Sequence, residues 1–85
     1  MTNMEFLDEP AAVTSATDGQ GQIMPQSLTW RKRTYSIISV GRQWEQTGNR
    51  HILIEASDGT RFEVMFDRTT LSWRVLKVWW GLLIA

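Results

Sequence analysis

The sequence predicts an all-β domain: a small five-stranded antiparallel meander curled into an open barrel or half-barrel, behind a disordered N-terminal leader. Three observations predict it. From Ser27 onward, β-branched and aromatic residues recur with a period of two. Turn-forming clusters interrupt that alternation at Thr47-Gly48-Asn49, Ser57-Asp58-Gly59 and Asp67-Arg68-Thr69-Thr70. The chain has 85 residues and is 42% hydrophobic, enough for one small domain with a thin core and too apolar for wholesale disorder.

The first part of the chain carries no such pattern. Residues 1–25 hold Glu5, Asp8, Glu9 and Asp18 and no Lys or Arg, a net charge of −4. From Pro10 to Gln22 neither a period of two nor one of 3.6 is visible. Burial by such a stretch does not offset roughly 1–2 kcal/mol of backbone entropy per ordered residue, so residues 1–25 read as a flexible acidic leader. The acidic start and the lack of an apolar run exclude a secretory signal, which makes the cytoplasm the expected location. Residues 26–85 form the expected β domain. They contain all nine bases against five acids, a net +4, and all five tryptophans. The formal net charge of zero is therefore a sum of two opposite parts.

Strands are expected near Leu28–Trp30, Tyr35–Trp44, Arg50–Ala56, Arg61–Phe66 and Leu71–Val78. Thr47-Gly48-Asn49 reads as a three-residue loop, with a bulge at Gly41 that turns Arg42 outward. In the next hairpin Gly59 suits the left-handed position of a three-residue loop. That register opposes Ile54 to Phe62 and Ile52 to Val64 on one face, and Glu55 to Arg61 on the other. A four-residue loop from Asp67 to Thr70 pairs Phe66 with Leu71, Val64 with Trp73 and Phe62 with Val75, and sets Glu63 opposite Arg74. Apolar meets apolar and acid meets base in both hairpins. The final Val78-Trp79-Trp80-Gly81-Leu82-Leu83-Ile84-Ala85 is apolar throughout but far short of the ~20 residues of a membrane span. It fits a continued strand, a turn plugging the barrel or an interface, with a bend at Gly81.

The catalytic inventory is poor. Without cysteine there is no disulfide, thiolate zinc site or thiol nucleophile. His51, the single histidine, falls on the outer face opposite Met65, with no carboxylate spaced to orient it. The acids are spread one per strand or turn, so no metal cluster is expected, and no phosphate-binding glycine pattern occurs. The sequence predicts no catalytic residues, no metal and no cofactor. The one run with binding character is Trp30-Arg31-Lys32-Arg33-Thr34-Tyr35, three consecutive bases flanked by aromatics. Aromatics exposed in a basic groove bind single strands by stacking on bases and neutralising phosphates. Three bases between strands also suit a solvated turn, and Trp30, Trp44 and Trp73 also suit a core.

The pattern Trp30-Arg31-x-Arg33-x-Tyr35-x-Ile37, then Trp44, a glycine turn, Phe62-Glu63-Val64 and Trp73-x-Val75 resembles a family of small uncharacterised bacterial β domains. Some members look to be associated with Y-family DNA polymerase-like proteins. The resemblance covers Leu28 to Lys77 and implies a β fold and a DNA-repair setting. It places a glycine where this chain has Lys32. The expected function is a non-enzymatic binding module that presents Trp30, Arg31, Lys32, Arg33, Tyr35, Arg42, Trp79 and Trp80 to a protein partner or to a second copy. Binding of single-stranded nucleic acid is the alternative.

Overall fold

The alternation becomes six strands in the computed structural model, which describes residues 4–81. The strands are β1 (Met4–Thr17), β2 (Ile23–Trp30), β3 (Arg33–Gln46), β4 (Asn49–Ala56), β5 (Arg61–Asp67) and β6 (Ser72–Trp79). They pair antiparallel in chain order, and β6 returns onto β1 to close the barrel. The fold is all-β as expected, but it has six strands in place of five and is closed where an open barrel was expected.

Residues 4–17 make the difference. Instead of a flexible leader they form β1, whose first part pairs with β6 (Met4 with Trp79, Ala11 with Trp73) and whose last part pairs with β2 (Ala12 with Thr29, Thr17 with Ile23). Leu7, Glu9, Ala11 and Val13 alternate as its half-buried positions, a period of two with a carboxylate in one of its inward places. Pro10 sits where β6 is the only neighbour, a place where its missing N–H is tolerated. β2 likewise starts at Ile23 and buries Pro25, so the domain runs through the expected boundary at residue 25.

The inward faces meet in one core of Leu28, Trp30, Tyr35, Ile52, Ile54, Ala56, Phe62, Val64, Val75 and Val78. Phe62 is its hub, with the rings of Trp30 and Tyr35 edge-on at 5.8 and 5.0 Å. The β4–β5 register is the expected one, Ile54 with Phe62, Ile52 with Val64 and Glu55 with Arg61, around a loop in which Gly59 has φ +89°. Across β5–β6 the loop holds four residues but starts one later, so Asp67 pairs with Ser72 and Phe66 with Trp73. A bulge between Glu63 and Val64 then brings Phe62 opposite Val78 and Glu63 opposite Lys77, not Val75 and Arg74. The β3–β4 register does shift between Val40 and Gln43, the bulge expected at Gly41, and Arg42 is exposed. Its loop has two residues, Thr47-Gly48, both at positive φ.

The Arg31-Lys32 turn joins β2 to β3 with φ +53° and +64°, left-handed backbone that costs non-glycine residues roughly 1–2 kcal/mol each. Lys32→Gly is therefore expected to stabilise the domain by about 1 kcal/mol in urea unfolding, since the Lys32 side chain is exposed and has little packing to lose. If Lys32→Gly proves less stable than the parent, this account of the turn is contradicted. After Trp80, Gly81 lies against the Asp58–Thr60 turn, where a Cβ would come within 2.6 Å of the Asp58 carbonyl oxygen. The end of the apolar run, Leu82 to Ala85, lies outside the described residues. Among the described residues no helix is long and apolar enough to cross a membrane.

Candidate functional site

The Trp30–Tyr35 run does not form the expected rim. Trp30 is 2% exposed and Tyr35 6%, because the alternation of β2 and β3 turns both rings inward, beside Leu28 and Phe62. Neither offers a face for stacking. The bases around them are engaged: Arg31 lies 4.4 Å over the Trp30 ring, and Arg33 lies 4.7 Å over Tyr35 while holding Asp58 at 3.0 Å. Lys32 stands exposed at the turn, and Arg42 stacks 5.1 Å over Trp44 on the outer face.

What meets this basic surface is the acidic stretch. Glu9 accepts the Trp30 indole N–H at 2.9 Å and takes Arg31 in a two-pronged pair at 2.9 and 2.8 Å. Asp8 binds Arg74 through both carboxylate and backbone carbonyl, and Glu5 accepts the Trp80 indole N–H at 2.7 Å. Two of the four acids of residues 1–25 thus pair with bases of residues 26–85 within the barrel wall. The Arg31 guanidinium holds the Glu9 carboxyl below its usual 4.5, with the Trp30 N–H adding to the effect. A depressed folded pKa stabilises above the unfolded value and loses that stabilisation as pH falls through the folded one. The melting temperature is expected to fall with pH from about 4.5 downward, and Glu9→Gln should flatten that fall. Identical acid profiles for the variant and the parent would remove Glu9 from the account.

His51 also departs from expectation. It does face Met65 on the outer side of the sheet, but it is 6% exposed and its Nδ1 lies 3.0 Å from Oε2 of Glu63. Trp44 covers the imidazole, ring on ring at 5.3 Å, and Lys77 reaches the other Glu63 oxygen at 3.3 Å. The carboxylate that sequence spacing did not supply comes from the diagonal position on β5, brought into reach by sheet twist. Both partners are buried, and neither lines the open hollow beside Trp79.

The open concavity lies on the outer face of β3–β6. It has a volume of about 450 Å³ and a lining that includes Ser39, Gly41, Leu53, Arg61, Trp79 and Trp80. Its origin is local. Register shifts between Ile37 and Ser39 and between Val40 and Gln43 bend β3, which lines the hollow with Ser39 and the bare backbone of Gly41. Opposite that dip, half-buried Trp79 supplies the wall. Trp80 turns the other way, 5.6 Å from Trp30 across the barrel end. Glu55 and Arg61, paired across β4–β5, stand at the groove without an ion-pair partner among the described residues. Of the expected site residues, the groove collects Trp79 and Trp80; Trp30, Arg31, Lys32, Arg33, Tyr35 and Arg42 are not part of its lining. The sequence places Glu55 and Arg61 opposite each other on the outer face and Gly41 at a bulge, but nothing in it points to a hollow between them, and Leu53 carries no signal of its own. No family model, curated protein or solved structure matches the chain.

Proposed function

We propose that this protein is a non-enzymatic interaction module that takes an apolar side chain of a protein partner into the groove between the β3 bulges and Trp79. The observation that carries this reading is the groove itself: an open, largely apolar hollow of about 450 Å³ with a tryptophan wall and, beside it, an acid and a base that have no ion-pair partner among the described residues. Large aromatic walls next to small residues are the form in which partner anchors are gripped. Nucleic-acid binding has less support, since Trp30 and Tyr35 are buried and Arg31, Arg33, Arg68, Arg74 and Lys77 each hold a carboxylate.

Gly41→Leu fills the groove without strain: a Cβ there meets only ordinary contacts, 3.6 Å to the Leu53 carbonyl and 3.7 Å to its Cβ. Peptides selected from a displayed random library on the parent protein should carry a large apolar anchor. They should bind Gly41→Leu at least tenfold more weakly and bind Lys32→Ala unchanged. Peptides indifferent to Gly41→Leu would overturn the reading. So would salt-sensitive quenching of tryptophan fluorescence by a single-stranded oligonucleotide that competes with them.

A further inference from the structure

The face that carries the groove has a self-complementary row of side chains. Across the outer face, the registers set Ser39 beside Glu55, Glu55 beside Arg61, and Arg61 beside Trp79. Read over β3, β4, β5 and β6, the row is small, acid, base, large. A two-fold axis lying in the contact plane, parallel to the strands and passing between β4 and β5, reverses this row on the facing copy. Each position then meets its complement: Trp79 faces the dip at Ser39 and Gly41, and Glu55 faces Arg61, each twice. Neighbouring strands lie ~4.8 Å apart, so the four positions span ~14 Å and all four contacts fall within one patch.

From this we propose that the protein forms an isologous dimer through the outer face of β3–β6, with Trp79 of each copy seated in the Gly41 groove of the other. A row that reverses into its own complement is what a closed two-fold contact requires, because the same patch must serve as both partners. The two charges support this choice of occupant. Glu55 and Arg61 are opposite each other on adjacent strands yet form no ion pair with each other within the chain. Neither has an ion-pair partner among the described residues, so each can pair across the axis, where neighbouring aromatics shield them from water and salt. The apolar part of the patch extends along β3 through Ile38, which is 63% exposed.

This inference rests on the groove being an interaction site, and the test separates the two. Sedimentation velocity on the full chain from micromolar to near-millimolar concentration should show a monomer–dimer equilibrium. Gly41→Leu should weaken it at least tenfold. Glu55→Arg places two bases opposite two bases in its own dimer, and Arg61→Glu places two acids opposite two acids, so each alone should be monomeric. An equimolar mixture of the two variants should dimerise again, because every facing pair then joins an acid to a base. No rearrangement within one chain reproduces that rescue. A parent protein that stays monomeric throughout overturns the dimer, as do single variants that dimerise like the parent or a mixture that stays monomeric. If Gly41-sensitive peptides still bind in any of those cases, the groove remains an interaction site for a different partner; if they do not, both readings fall together.

Discussion

Removal of residues 1–17 is expected to abolish the cooperative unfolding transition of the domain. A flexible leader would leave the transition where it was. β1 instead closes the barrel, pairing with β6 along its first part and with β2 along its last. Its loss withdraws two ladders of backbone hydrogen bonds and leaves β2 and β6 as open edges. It also uncovers the core neighbours of Leu7, Ala11 and Val13, each half-buried and worth on the order of 1 kcal/mol. The Trp30 indole N–H also loses its hydrogen bond to the Glu9 carboxylate, a charged acceptor, a further cost of about 1.5–3 kcal/mol. These losses together approach the whole stability of a domain this size, about 5–10 kcal/mol. The truncated chain should show no urea transition in near-ultraviolet circular dichroism and should aggregate through its edges. A sharp transition at the parent midpoint would return residues 1–17 to the role of a tail.

How much was legible in the sequence depended on which signals were local. The β4–β5 hairpin was readable because one turn, one glycine and six alternating side chains all agree on a single register. β5–β6 departs from the local reading at the turn itself: its four-residue loop starts one residue later, which shifts every pair, and the bulge between Glu63 and Val64 shifts the remainder again, neither of which disturbs the alternation along the strand. β1 was hidden for a different reason. None of its residues is fully buried, one inward place holds Glu9, and one of its two neighbours, β6, comes from the other end of the chain, so its stability comes from pairing with β2 and β6. The charge asymmetry between residues 1–25 and 26–85 is plain in the sequence, but an asymmetry does not say whether the two parts stay apart or pack together. Here Glu5, Asp8 and Glu9 meet Trp80, Arg74, Arg31 and Trp30. The groove was least legible of all, because a hollow made by a bulge and two small residues is an absence of side chains.

Glu63→Ala is expected to cost about 3 kcal/mol, far more than an outer-face sheet position normally carries. Outer-face carboxylates usually stand in water, but this one is 6% exposed and is shared between His51 at 3.0 Å and Lys77 at 3.3 Å. Truncation leaves the His51 Nδ1 buried under Trp44 without its partner, and opens a void beside it. Lys77 loses less, since about a third of its side chain still reaches solvent. The cost should therefore pass mainly through His51, and a double-mutant cycle tests that: Glu63→Ala in a His51→Phe background should cost at least 1 kcal/mol less than in the parent. Replacing both groups by apolar residues of similar volume, His51→Phe with Glu63→Leu, should come close to parent stability, because two desolvated polar groups are removed at once. If the apolar pair is instead as unstable as Glu63→Ala, the carboxylate's main service is to Lys77, and the covered histidine is incidental to the strength of the sheet.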